Sequence, residues 1–254
     1  VRMDACDVDG DGRQEVVWLE ARLTWPAYFP GFMEVLGHDG NRIVEHEHLG
    51  HEGPIDFGMV LDADLDGDAD RLRVYQTTLM LDLFEPDGAG GWSAATSSLD
   101  LGFTPETLLR VDYDGDAYPD LFLKSGISGR FVTLAGGVLN APVNLVHGID
   151  SDAPMVIPGD VDGDGDEDLT LFDMSGYALY RRTGPASWAL EPRRAGGPAV
   201  KFADVDGDGD LDGVCCSGGG SYTLYFDFPS TFRVALNGGN GDFAPAFSFP
   251  GLGS

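Results

Sequence analysis

Positive charge is scarce in this chain. Lys and Arg number 15 against 43 Asp and Glu, giving a formal net charge of −28 over 254 residues. A protein this acidic repels nucleic acid and anionic membranes, so neither is an expected partner. No apolar run reaches spanning length, and no membrane span is expected. No leader segment is legible either: the chain begins directly at a strand, which reads as a processed or truncated precursor. Cysteine is limited to three residues, too few to define a disulfide framework. Cys6 precedes the first acidic loop and Cys215 and Cys216 follow the last. A clasp from Cys6 to one of the pair and three buried thiols are both open readings. Histidine is equally sparse, at five.

What the chain has in excess is aspartate, and it is clustered. The segment "DVDGDGDED" at 160–168 places Asp160, Asp162, Asp164 and Asp168 at positions one, three, five and nine of a glycine-bent loop. Carboxylates this close repel and take up protons unless a cation neutralises them. Alternate positions of a tight loop turn their oxygens to one centre, position seven adds a backbone carbonyl, and the last carboxylate closes the shell. Six to eight oxygens of this kind suit calcium. The same grammar recurs as "DVDGDGRQE" at 7–15, "DLDGDADRL" at 64–72, "DYDGDAYPD" at 112–120 and "DVDGDGDLD" at 204–212. First aspartates at 7, 64, 112, 160 and 204 set a repeat of period near 50. These loops hold 23 of the 43 acidic residues, so much of the net charge belongs to them.

An EF-hand needs an acid at position twelve and flanking helices, and neither is present. Each loop is followed by a short alternating run, such as "EVVWLE", "RLRVYQ", "DLFLKS" or "DLTLFD", and preceded by another, such as "FGMVL" or "ETLLRV". These read as strands. A third run with a glycine-marked turn follows, as in "FVTLAGGVLN" and "FRVALNGGNGDF", and a fourth leads into the next unit. Four short strands per repeat, arranged radially, predict an all-β fold: a five-bladed β-propeller of four-stranded blades, with a calcium loop between the first and second strand of each blade. One domain over 1–254 divides into blades at about 1–55, 56–103, 104–151, 152–195 and 196–254.

The "DxDGDGxxD" loop between two strands, with the later "NGGNGDFAPAFSFP", resembles the FG-GAP/VCBS repeat of integrin-α-like propellers and many bacterial surface proteins. The resemblance covers essentially the whole chain and implies one calcium per loop, up to five in all. Carried over by position, the ligands are Asp7, Asp9, Asp11 and Glu15; Asp64, Asp66 and Asp68; Asp112, Asp114, Asp116 and Asp120; Asp160, Asp162, Asp164 and Asp168; and Asp204, Asp206, Asp208 and Asp212. The carbonyls of Arg13, Asp70, Tyr118, Asp166 and Asp210 fill position seven. Glu15 replaces the final Asp in the first loop. Leu72 removes it in the second, which makes site two the weakest and predicts that Leu72→Asp tightens it. Loops of this type suit the abundant calcium outside the cell, at its surface or in the periplasm.

Enzyme chemistry has little to draw on, and no catalytic residue is assigned. His38, His46, His48 and His51 crowd one unit, where His46 and His48 alternate with Glu45 and Glu47 as an exposed polar strand face or a transition-metal site. Asp4 and Asp62, read on innermost strands, are the nearest candidates for a glycosidase pair at a central channel, and either could instead pair with Arg110 or Lys201. A binding role draws on more. The long second-to-third-strand connections at 22–32 and 217–232 carry Trp25, Tyr28 and Phe29, and Tyr222, Tyr225 and Phe228. On the face opposite the calcium loops these rings form either a contact patch for a protein or a glycan, or small loop cores. The leading expectation is a non-catalytic interaction or structural subunit of a cell-surface or envelope assembly. A lectin is second, and a glycosidase or lyase third.

Overall fold

The computed structural model describes residues 2–6, 15–20, 23–24, 27–28, 32–38, 43–49, 57–67, 69–86, 92–126, 128–145, 155–173, 176–195, 201–217 and 231–250, with the first sheet described as backbone only. Every element among them is a strand. Strand β1 (Arg2–Cys6) and β2 (Glu15–Glu20) are followed by a small hairpin, β3 (Leu23–Thr24) and β4 (Ala27–Tyr28), and then by β5 (Phe32–His38) and β6 (Ile43–Leu49). Next come β7 (Phe57–Leu61), β8 (Asp70–Tyr75), β9 (Thr78–Pro86) and β10 (Trp92–Asp100). The third group is β11 (Thr107–Val111), β12 (Asp120–Ser125), β13 (Ser128–Val132), the hairpin β14 (Leu134–Ala135) and β15 (Val138–Leu139), and β16 (Val143–Leu145). The fourth is β17 (Met155–Gly159), β18 (Asp168–Asp173), β19 (Gly176–Gly184) and β20 (Ser187–Leu190). The fifth is β21 (Lys201–Ala203), β22 (Asp212–Ser217), β23 (Thr231–Leu236) and β24 (Ala244–Pro250).

These pair as four-stranded antiparallel meanders, β1-β2-β5-β6, β7-β8-β9-β10, β11-β12-β13-β16, β17-β18-β19-β20 and β21-β22-β23-β24. The fold is all-β and propeller-like. One expectation is corrected: "LAGGVL" does not join the third and fourth strands of its sheet as a simple turn but forms the separate hairpin β14–β15. The Gly136-Gly137 pair, at φ 56° and 73°, reverses the chain too tightly for the preceding strand to continue.

The residues divide into two compact units, 1–111 with 116–146, and 112–115 with 147–254. In the first, alternate residues of β8 turn inward, so that Asp70, Leu72 and Val74 are buried while Arg71, Arg73 and Tyr75 are half-buried. Leu72 and Val74 join Met59, Leu61, Leu79 and Leu81 against Leu108, Leu121, Leu123 and Leu134. On the other side of the second sheet, buried Asp82 receives Arg71 Nε at 2.8 Å, Arg73 Nε at 2.7 Å and the Thr96 hydroxyl at 2.6 Å. Burial alone raises an acid, but the bonds from Arg73, Thr96 and Arg71 outweigh it and hold Asp82 at about 2. The second unit packs Ile157, Val161, Phe172, Tyr177, Leu179 and Phe243 together, with Phe202 stacked on Phe243 at a centroid distance of 5.4 Å.

Candidate metal centre

Strand register fixes the acidic loops. The last residue of each first strand pairs with an acidic residue of the second: Cys6 with Glu15, Leu61 with Asp70, Val111 with Asp120, Gly159 with Asp168 and Ala203 with Asp212. Eight residues separate the partners every time. The pairing acid is therefore position nine, and in the second loop it is Asp70.

That corrects the sequence-based register of loop two by two residues. The loop runs from Asp62 to Asp70, with Asp62, Asp64 and Asp66 at positions one, three and five. Asp70 thus stands at position nine with its carboxyl, where the sequence pattern puts its carbonyl at position seven. Leu72 lies outside the loop, paired with Met59 and Leu81 in the core and fully buried, so it removes no ligand and gives no reason to rank site two weakest. Asp62 follows the end of β7 and opens the loop, which removes it from the innermost strand where a channel-facing pair was sought. Its Oδ2 accepts from Gly67 N–H at 3.2 Å, as Asp160 accepts from Gly165 at 3.0 Å and Asp204 from Gly209 at 3.2 Å. This shared position-six bond confirms the shift.

Backbone chirality explains the glycines. Positions four and six both adopt left-handed φ: Leu65 at 64° and Gly67 at 101°, Gly115 at 80° and Ala117 at 76°, Gly163 at 74° and Gly165 at 89°, Gly207 at 82° and Gly209 at 98°. Glycine takes these angles without penalty, and other residues pay about 1–2 kcal/mol. Position-four N–H groups donate to the first aspartate, from Gly115 to Asp112 at 2.7 Å, Gly163 to Asp160 at 2.8 Å and Gly207 to Asp204 at 2.7 Å. The turns thereby fold the carboxylates of positions one, three and five or nine toward a common point.

Four such groupings exist among the described residues: Asp62, Asp64 and Asp66; Asp112, Asp114 and Asp120; Asp160, Asp162 and Asp168; Asp204, Asp206 and Asp212. In each, one carboxylate oxygen per residue lies within 4.8 Å of the others. The position-nine aspartates are all buried, and each also organises backbone. Asp70 accepts from Ala63 N–H at 2.9 Å and Asp212 from Val205 N–H at 3.0 Å, both position-two amides. Asp120 accepts from Leu134 at 3.0 Å and Asp212 from Asn237 at 2.8 Å, both just beyond the third strand, and Asp168 accepts from Arg182 within the third strand β19 at 2.9 Å.

Three oxygens test whether a cation fits. Asp168 Oδ2, Asp62 Oδ1 and Asp64 Oδ1 are buried without a hydrogen-bond partner. Burial pushes the Asp168 carboxyl up to about 6, with repulsion from Asp162 adding to it. Asp64 is raised by burial and by Asp66 and Asp62. A buried, unpaired carboxylate is costly, and a hard, oxygen-seeking divalent cation removes that cost. The donor set fits such an ion.

The loops are also held from outside. Position-two carbonyls accept from Gly137 N–H on Ala63 at 3.3 Å, from the Trp188 indole on Tyr113 at 3.3 Å and from the Asn237 amide on Val161 at 2.8 Å. Adjacent arginines of β19 add fixed positive charge. Arg181 bonds Asp162, Glu191 and the Asn240 carbonyl, and Arg182 bonds Asp166 and lies 3.1 Å from the Asp112 carboxylate. The sequence pattern marks Asp62 only as a channel candidate and not as a loop ligand, and it does not mark Arg181, Arg182 or Asn237. For Asp62 the signal was there, as aspartate at five alternate positions from 62 to 70.

Several predicted residues fall elsewhere. Asp7, Asp9, Asp11, Arg13 and Asp68 lie outside the described residues, as do Trp25, Phe29, Tyr222, Tyr225, Phe228 and His51. Glu15, Tyr28, Asp4, Cys6, Cys215, Cys216, His38, His46 and His48 are described only by their backbone, in β1, β2, β4, β5, β6 and β22. Arg110 and Lys201 are exposed on β11 and β21.

Comparison with known proteins places this geometry. Residues 151–215 match the family model of the FG-GAP-like repeat. No curated protein sequence matches the chain. Among solved structures, a lectin of Agrocybe aegerita, described in terms of specific recognition of non-reducing terminal N-acetylglucosamine, superposes at a TM-score of 0.68 with 17% identity over 99% of this chain and 67% of its own. The Photorhabdus luminescens Tc holotoxin pore carrying the TccC3-D651A mutation superposes at 0.56 with 16% identity over 98% of this chain. This chain spans only 12% of the length of that one. At these identities the likeness concerns the fold.

Proposed function

Taking as premise that residues 151–215 carry an FG-GAP-like repeat, we propose that the chain is a calcium-stabilised, extracytoplasmic five-bladed propeller that binds protein as a non-catalytic interaction or structural subunit. The observation that carries the reading is the set of buried, unpartnered carboxylate oxygens in loops whose register repeats from sheet to sheet. Bound calcium supplies neutralising charge and closes the coordination of these oxygens. The chain's own residues do the remainder: position-one aspartates clamp the two left-handed turns, and position-nine aspartates tie the loop to the second and third strands. Asp62, Asp64, Asp66 and Asp70 would hold the ion of loop two, and Asp112, Asp114, Asp116 and Asp120, Asp160, Asp162, Asp164 and Asp168, and Asp204, Asp206, Asp208 and Asp212 the ions of loops three to five. The five sheets stand as blades with boundaries near 55, 103, 151 and 195.

Loops of this composition suit millimolar extracellular calcium, which supports a setting outside the cytoplasm. The aromatic connections around Trp25 and Tyr225 remain the proposed partner face. A second reading, carbohydrate binding, is favoured by the lectin among the similar structures. Melting curves in chelator and in millimolar calcium test the metal, since an ion bound only by the folded state raises the melting temperature. Identical curves would reject it. Glycan-array binding with and without calcium separates the lectin reading from the protein-binding one.

A further inference from the structure

Asn237 is 4% exposed, and both ends of its side-chain amide and its backbone N–H are engaged by neighbours. Its Nδ2 donates to Val161 O at 2.8 Å and to Leu211 O at 3.2 Å. Its Oδ1 accepts from Gly241 N–H at 2.8 Å and Asn240 N–H at 3.3 Å, and its own N–H donates to Asp212 Oδ1 at 2.8 Å. Val161 is position two of loop four, between Asp160 and Asp162. Leu211 and Asp212 are positions eight and nine of loop five. One buried amide therefore grips the peptide that spaces two ligands of loop four and, through its backbone, a ligand of loop five.

We propose that Asn237 couples the metal sites of loops four and five, so that calcium in either raises the affinity of the other. The proposal rests on the calcium reading above. Asp168 Oδ2, buried and unpartnered in loop four, is the oxygen whose capture by an ion would fix that loop. Fixing the loop fixes the Val161 carbonyl, and the bond at 2.8 Å holds Asn237 in place. Asp212 then meets its ion already oriented, and the second binding event pays less ordering entropy. Such coupling is worth roughly fivefold to a hundredfold in affinity and must be equal in both directions.

Calcium titration of the full chain, followed at the amide resonances of Gly163 and Gly165 for loop four and Gly207 and Gly209 for loop five, tests this. Asp206→Asn disables loop five and should shift the loop-four midpoint to higher calcium by about fivefold or more. Asp162→Asn should shift loop five by the same factor. Asn237→Ala should abolish both dependences. Should that variant not fold, the two single-loop variants are repeated in about 1 M salt, where the screening length is about 3 Å. A bonded path keeps the shift, whereas a through-space one loses it and overturns the proposal. Calcium uptake at independent midpoints overturns the coupling and leaves the calcium reading standing. No calcium-dependent change at any of the four glycines overturns both.

Discussion

The register of loop two is decided by one pair of substitutions. If Leu72 were position nine, truncating it would leave the fold alone, and Asp70 would lend the metal site only its carbonyl. The structure makes it core: fully buried, paired with Met59 and Leu81 inside a cluster that also holds Leu61, Leu79 and Leu121. Truncation to alanine removes three buried carbons and leaves a cavity, which costs about 3–4 kcal/mol. For a chain of this size each kcal/mol lowers the melting temperature by about 2–4 °C, so Leu72→Ala should melt on the order of 10 °C lower. Its calcium content at saturation should stay that of the parent. Asp70→Asn does the opposite. It keeps the shape and weakens a 2.9 Å charge-assisted bond from Ala63 N–H, a loss of about 1–3 kcal/mol, while removing one ligand charge from the site. One calcium fewer should be retained at limiting metal. Leu72→Asp, far from tightening the site, buries a carboxylate among leucines and should fail to fold. Calorimetry in saturating calcium and metal analysis after gel filtration measure both quantities. An unchanged melting temperature in Leu72→Ala together with unchanged calcium content in Asp70→Asn would refute the register.

Other consequences are open to the same instruments. Leu65 is half exposed and sits at φ 64°, so Leu65→Gly should stabilise the chain by up to about 1 kcal/mol, and a lower melting temperature would contradict the left-handed assignment. Asp82 is held at about 2 against an unfolded value of 3.8, so its contribution is complete above about pH 4 and vanishes as pH falls toward 2. In Asp82→Asn that acid limb should flatten and the neutral-pH melting temperature should drop, because two guanidiniums lose their counter-charge; an unchanged acid limb would show the hub to be inert. A Cβ at Gly137 would stand 2.6 Å from Leu83 Cδ1 and 3.3 Å from Asp64 Cβ. Gly137→Ala should therefore destabilise the chain and weaken loop two together, which calcium titration of that loop can check.

How far the sequence could be read depended on whether a feature is local. "EVVWLE", "DLFLKS" and "DLTLFD" coincide with β2, β12 and β18, because a short apolar run bounded by polar residues is a property of six consecutive residues. The loop-two register failed for an equally local reason. Glycine stands at position four in the other loops, whereas loop two places Leu65 there, so that Gly67 at position six mimics a position four two residues late. Loop three hides the complementary exception, Ala117 at position six. Contacts such as Asn237 to Val161, 76 residues apart, leave no mark in any window of sequence, since they depend on where a turn after one strand meets a loop before another. The arginines of β19 were equally illegible, being two cations in an ordinary strand until the register aims one at Asp162 and the other at Asp112 and Asp166.

The straps across the position-two carbonyls bear on how such repeats can change over time. Ala63, Tyr113 and Val161 share no side-chain chemistry, and their donors are a peptide N–H, an indole and a carboxamide. An acceptor that belongs to the main chain is supplied by any amino acid, and any neutral or cationic donor of the right reach can answer it. Each repeat is thus free to drift in composition at this joint without losing the joint.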